Sequence, residues 1–264
     1  MSAASPPSSE SWPRLRGRLS LVIPVHNEAE NLERVLPRAL EALSRLSDGF
    51  EVVLVDDGST DESVGVAQRC LAGSGGELQV VTHDHQSGYG LTVADGLRAA
   101  SGDWVAFCDG DGQFDPLDLR ILAERADQAE LVAGWRIHRA DPWYRSLVSG
   151  TFNLVVRALY GIHFRDVDCG FKLIRHDLLV AASPIRARSA LLNTELYFKA
   201  QRSGFRIVQV GIQHHPRLAG RRSGGRLLPI LRAMRESVRL RLELARTWQP
   251  PQERLVGTDG ASRP

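Results

Sequence analysis

LSLVIPV (residues 19–25), followed by ENLERVLPRALEALSRL (30–46), decides how the rest of this chain is read. The first run is apolar, rich in β-branched residues and of strand length, while the second repeats its apolar residues at a helical period. The pair recurs as EVVLVDD (51–57) with TDESVGVAQRCLA (60–72), as ELQVVTH (77–83) with GLTVADGLRAA (90–100), and closes on DWVAFCD (103–109). This repetition predicts right-handed βαβ crossovers, and so an α/β fold with a mostly parallel central sheet flanked by helices. In such a sheet a ligand lies beyond the carboxyl ends of the strands. Three loops begin there: PVHNE (24–28), DDGSTD (56–61) and CDGDGQFDP (108–116).

These loops carry side-chain oxygens, not the GxGxxG or GxxxxGK[ST] glycines that cradle phosphates through backbone amides, which disfavours a dinucleotide site or a P-loop. Asp109, Asp111 and Gln113, spaced by two, place three hard oxygen ligands on one side of an extended segment. Carboxylates that close repel each other unless water screens them or a cation lies between. A divalent ion such as Mg²⁺ or Mn²⁺, which keeps water and phosphate oxygens in its shell, suits the set. Each loop also has a plainer reading. Asp-Gly-Asp-Gly makes an ordinary turn; Ser59 or Thr60 caps a helix, with Asp61 and Glu62 favouring its dipole; Asn27 caps the first helix. Capping explains each loop alone, but not why all three acidic loops fall at one edge of one sheet.

The 264 residues, 43% hydrophobic and 24% charged, suffice for one large core or two small ones. Cys70, Cys108 and Cys169 form no CxxC pair, which points away from a disulfide framework or a zinc site and toward a reducing compartment. No apolar run reaches the ~18 residues of a membrane span, and the first residues lack the apolar centre of a secretion signal, so the expected location is the cytoplasm. Residues 1–18 and 249–264 are rich in Ser, Pro and polar residues and are expected to be disordered. The net charge of +2 hides a basic end, for residues 201–264 hold thirteen Arg against four Asp or Glu. No nucleic-acid partner is expected. A basic amphipathic C-terminal helix (225–248) is predicted to align Leu227, Leu231, Met234, Val238 and Leu242 on one face, to pack on the core or to lie on an anionic membrane surface.

VIPVHNE (22–28), VDDGSTD (55–61) and DGDGQFDP (109–116), continued by GWR (134–136), RSLVS (145–149), RDVDCGFKLIR (165–175), NTE (193–195) and PRLAGRRS (216–223), together resemble the family 2 glycosyltransferases. Within them the likeness is to the polyprenyl-phosphate, dolichyl-phosphate mannose synthase-like branch. It implies a GT-A fold, Rossmann-like, over residues 19–224. A nucleotide-binding half covers about 19–115 and an acceptor half about 116–224. HQSGYGLTVADG (85–96) departs from the family pattern, keeping Gly88, Tyr89 and Gly90 but not a preceding Asn-Arg.

The resemblance further implies which residues carry function. Pro24, His26, Glu28, Asp56, Asp57, Asp109, Gly110 and Asp111 are expected to bind a nucleotide-diphosphate sugar, and Asp109, Asp111 and Gln113 to hold Mg²⁺ or Mn²⁺. Arg136 is expected to stabilise charge in the transition state, and Arg145, Ser149, Arg217 and Ser223 to bind the acceptor phosphate. Asp168 and Glu195 are candidates for a base, each balanced by a structural alternative: a bond orienting the loop before Gly170, or a helix-start residue. Transfer of a sugar to a polyprenyl phosphate, with inversion, at the inner face of the membrane is the implied activity. A soluble or protein-borne hydroxyl acceptor, or nucleotide-sugar binding without turnover, are the alternatives.

Overall fold

The computed structural model describes residues 11–137, 154–217 and 227–251, with side chains in the last segment from residue 235 onward. In chain order the elements are β1 (Leu19–Val25), α1 (Ala29–Leu46), β2 (Phe50–Asp56), α2 (Ser63–Leu71), β3 (Glu77–Thr82), α3 (Tyr89–Ala99), β4 (Trp104–Cys108), a 3₁₀ turn (Pro116–Asp118), α4 (Leu119–Ala123) and β5 (Leu131–Arg136). There follow α5, described over 154–160, then β6 (Phe171–Arg175), α6 (His176–Ala182), α7 (Leu191–Arg202), β7 (Ile207–Ile212) and α8 (Leu227–Thr247).

Seven strands form one sheet in the order β3-β2-β1-β4-β6-β5-β7. β1 pairs in parallel with β2 and β4, β2 with β3, and β5 with β7, whereas β6 runs antiparallel to β4 and β5. The sheet is thus mostly parallel, as the βα repeats predict, with one reversed strand at the junction of its halves. Side chains alternate across it. Leu21, Ile23 and Leu54 pack with Leu32, Leu36 and Leu43 of α1 on one face, while Val22, Val53 and Phe107 join α3, α6 and α7 on the other. All seven residues of β2 are buried, the signature of a strand covered on both sides.

The packed chain begins before residue 19. Leu15 is buried and its amide donates to the Leu46 carbonyl at 2.8 Å, and Trp12 receives the Arg45 guanidinium 5.2 Å from its ring centre. The apolar Trp12 and Leu15 anchor a segment whose Ser and Pro content suggested disorder.

Helix α8 docks on the core through Ser237, Leu240 and Leu244, all buried, and the Tyr160 hydroxyl donates to the Ser237 carbonyl at 2.7 Å. The docked face is not the predicted one. Val238 and Leu242 of the predicted stripe are 47% and 55% exposed; the side chains of Leu227, Leu231 and Met234 lie outside the described residues. The helix carries two apolar stripes, and packing takes the one formed by Leu240 and Leu244.

Candidate functional site

The carboxyl ends of β1, β2 and β4 open into a cavity of about 320 Å³. Pro24, His26, Glu28, Asp57, Asp109, Gly110, Asp111, Gln113 and Arg217 all line it, together with Val25, Gln86, Tyr89 and Thr92. The first two loops are stapled to one another, because side chains of the second accept from the amides that open α1, while Asp115 of the third caps its own 3₁₀ turn through the Leu117 amide at 3.0 Å. The Ala29 amide at the start of α1 donates to Asp61 Oδ2 at 3.0 Å, and the Glu28 amide to Ser63 Oγ at 3.0 Å. Asn27, in the left-handed region at φ 57°, accepts from the Thr60 amide at 2.8 Å. Asn tolerates that conformation better than most residues. Asn27 and Ser59 or Thr60 cap no helix as the sequence suggested; they bond each other across the two loops and so bring Glu28 and Asp57 to one cavity.

Asp56 and Asp57 take different roles. Asp56 lies outside the cavity lining, and its Oδ1 accepts from the Ser59 amide at 2.9 Å, closing the turn. Asp57 accepts from His83 Nδ1 at 2.8 Å, the Ser87 amide at 2.7 Å and the Gly88 amide at 3.0 Å. Burial would raise its pKa, but those donors outweigh it and hold the carboxyl below its ordinary value. His83, bonded to Asp57 and at 3.1 Å to Asp95, has its pKa raised, chiefly by the Asp57 bond.

The signs fix a pH window. A raised His83 contributes stability that is complete below its ordinary 6.5 and fades as pH rises through the raised value. A depressed Asp57 contributes above its ordinary 3.8 and is lost on acidification. His83→Asn is accordingly expected to lower Tm most between about pH 4 and 6.5 and least near pH 9, by about 2–4 °C for each ~1 kcal/mol lost. Thermal melts across pH check this, and a gap that stays constant to pH 9 contradicts it.

Asp109 closes the inner end of the cavity. Its Oδ1 is shut from solvent and has no hydrogen-bond partner. Burial, then the neighbouring charge of Asp111, push its pKa up to about 7, against the Tyr89 hydroxyl bond and the more distant Lys172 and Arg136. An orphaned carboxylate oxygen beside a second carboxylate is what a cation relieves. Asp111 Oδ1 accepts from the Gln113 amide at 3.1 Å, and the Gln113 side chain donates to the His215 carbonyl at 3.2 Å. Among the described residues no cluster of three or more His, Cys, Asp and Glu surrounds a common point. Two carboxylates, with Gln113 nearby, leave most of a cation's shell to water and phosphate oxygens, which is the way Mg²⁺ is commonly held. The residues present fit a divalent ion of this open kind.

Other expected residues are placed differently. Arg217, expected on the acceptor phosphate, pairs with Glu28 and reaches Asp111 Oδ2 at 3.5 Å, in the cavity lined by the residues expected to bind the nucleotide. Arg136 is forked onto Asp166 at 2.7 and 2.5 Å, and its pKa is raised: burial would lower it, but the Asp166 pair overrides that. Glu195 is buried away from the cavity; it pairs with Lys199 at 2.7 Å and accepts from the Arg186 and Ala187 amides at 2.9 and 2.7 Å. It fastens the 183–187 segment to α7 from inside the helix, a structural role other than the helix-start one expected of it, and it is not among the residues that line the cavity. Asp168 lies on the turn before Gly170. Arg145, Ser149 and Ser223 lie outside the described residues.

Tyr89, Gln86, Thr92, Asp166 and Lys172 were not singled out for roles in the sequence. Tyr89 had a signal, since the retained Gly88-Tyr89-Gly90 falls at the start of α3.

The family model described as "Glycosyl transferase family 2" matches residues 20–180. Among curated proteins, the undecaprenyl-phosphate 4-deoxy-4-formamido-L-arabinose transferase of Aeromonas hydrophila is 33% identical over 175 residues, covering 66% of this chain and 54% of that protein. The dodecaprenyl-phosphate galacturonate synthase of Rhizobium johnstonii is 29% identical over 209 residues, covering 76% and 60%. The chain spans little more than half the length of these relatives. Among solved structures, glucosyl-3-phosphoglycerate synthase from Mycobacterium tuberculosis, in complex with Mn²⁺, uridine diphosphate and glucosyl-3-phosphoglycerate, superposes with a TM-score of 0.61 at 25% identity, over 90% of this chain and 82% of that one.

Proposed function

Since this chain belongs to glycosyl transferase family 2, we propose that it transfers a sugar from a nucleoside-diphosphate sugar to a polyprenyl phosphate, with a divalent cation and inversion at the anomeric carbon, at the inner face of the membrane. The observation that carries the reading is the Asp109 carboxylate, with an orphaned oxygen, beside Asp111 in a cavity also lined by Glu28, His26 and Asp57. The curated relatives are named as polyprenyl-phosphate sugar transferases.

The chemistry follows from charge. A phosphate oxygen of the acceptor attacks C1 of the sugar, the C1–O bond to the diphosphate breaks, and the nucleoside diphosphate leaves with the electron pair. A lipid phosphate is anionic near neutral pH and attacks without a base, so the structural role of Glu195 costs the reaction nothing. The metal, when bound, neutralises charge growing on the departing diphosphate. Asp109, Asp111 and Gln113 would hold it. Pro24, His26, Glu28 and Asp57 would line the nucleoside pocket, with Asp57 acting through the 83–88 loop it anchors. The outer face of α8 supports the membrane surface as a partner, for Val238 and Leu242 are exposed among Arg235, Arg239 and Arg246. No helix among the described residues is long and apolar enough to cross a membrane.

Incubation with Mn²⁺, labelled nucleotide sugars and short-chain polyprenyl phosphate tests the activity. Organic-phase label is expected. Label appearing only on soluble glycans, or donor binding without transfer, would replace the lipid acceptor by the corresponding alternative. Val238→Glu with Leu242→Glu is expected to lower sedimentation with phosphatidylglycerol vesicles by about tenfold or more, since each apolar side chain withdrawn from water contributes about 1.5–3 kcal/mol. An unaltered vesicle pellet removes α8 as the contact surface.

A further inference from the structure

Lys172 lies beneath the candidate site, on β6, fully buried. Its register partner on β4 is Phe107, two residues before Asp109. The ammonium sits 5.1 Å from the Phe107 ring centre and 5.7 Å from that of Tyr197. It donates to the Cys169 carbonyl, to the Val167 carbonyl at 3.3 Å and to Asn193 Oδ1 at 2.9 Å. Burying an ammonium costs several kcal/mol of desolvation, which neutral acceptors and ring faces offset only in part. A core position with no other task is better served by Leu or Met. What distinguishes this position is the backbone it holds. Gly170, next to the Cys169 carbonyl, abuts Asp109 so closely that a Cβ there would lie 2.3 Å from Asp109 Oδ2.

We infer that Lys172 is a positioning residue for the donor site: its ammonium pins the 167–170 backbone as a wall against Asp109 and lies below the Asp109–Asp111 pair. The role rests on the donor-site reading above. Lys172 touches neither the nucleotide nor the reacting atoms, and acts through Asp109 and the turn that confines it. The same turn carries Asp166, the partner of Arg136, so one buried cation holds both a candidate metal ligand and a candidate arginine donor in register.

Lys172→Met keeps a long apolar chain and removes the charge; Lys172→Gln keeps a donor for the Cys169 carbonyl. UDP binding to the full chain is measured by calorimetry, once with Mn²⁺ and once with EDTA, alongside hydrogen exchange of the ligand-free protein. For Lys172→Met the ratio of the two affinities is expected to fall about tenfold or more while the EDTA affinity stays within about threefold. Amides of 165–170 should exchange faster, with β1 and β2 still protected, and Lys172→Gln should fall between Met and wild type. A lysine serving only the core would lower Tm and leave the affinity ratio unchanged. That result in a folded variant overturns the inference and leaves the proposed function standing. Wild-type protein that binds none of UDP, GDP, CDP, ADP and dTDP better with Mn²⁺ overturns the functional reading, and this role with it. Failure of both variants to fold makes Lys172 an element of the core and overturns the role as well.

Discussion

Asp111→Asn is expected to lower sugar transfer at least about a hundredfold at saturating donor, the scale on which one preorganised electrostatic partner of a transition state acts. The substitution is nearly isosteric, and Asn retains an oxygen for the Gln113 amide that Asp111 now accepts at 3.1 Å. The loop keeps its turn and the fold is untouched. What is lost is the charge of one of the two carboxylates proposed to hold the cation. Mn²⁺-dependent strengthening of UDP binding should fall with turnover, while binding in EDTA changes little. Parallel kinetics and calorimetry check this, and undiminished transfer at matched Mn²⁺ removes Asp111 from the metal assignment.

Gly170→Ala is expected to cost about a hundredfold in turnover, comparable to the effect of a 1 Å misplacement of a reacting group. Gly170 needs no left-handed backbone; its reason is space. An added methyl would meet Asp109 Oδ2 at 2.3 Å and Cγ at 2.8 Å, and the short Asp side chain has no far end to bend away. Either the carboxylate swings off the cavity or the 165–170 turn retreats. Overpacking of this kind also costs about 1–3 kcal/mol, so a lowered Tm with retained circular dichroism is the companion result. Wild-type kinetics in a folded Gly170→Ala protein would show that the Asp109 position is not critical to transfer.

Much of this arrangement was legible because it is periodic. Strand and helix runs alternate through residue 109, and the sheet's carboxyl edge follows from them by topology, so the loops holding Glu28, Asp57 and Asp109 could be placed together before any coordinates. What periodicity cannot convey is direction. Asp56 and Asp57 are neighbours at a strand end, and one closes its own turn while the other anchors the 83–88 loop. Glu195 stands four residues before Lys199, the spacing of a helical ion pair, yet a carboxylate in a motif reads as chemistry until its burial is seen. Helix α8 carries apolar residues at two phases, and only the docked partners Tyr160 and Phe198 reveal that Leu240 and Leu244 face inward. Lys172 sits in KLIR within the reversed strand β6, where nothing in the order of residues marks its ammonium as lying under Asp109.

Arg217 gives the resting cavity a built-in counterion. Its guanidinium spans Glu28 and Asp111, joining the segment after β7 to the first and third loops across the mouth of the site. On the proposed reading, a metal ion at Asp111 would share that carboxylate with a guanidinium already facing it, and loading would displace one cation by another. Donor affinity would then depend on how readily the arginine is displaced, with the diphosphate of the proposed donor as an anion it could turn to.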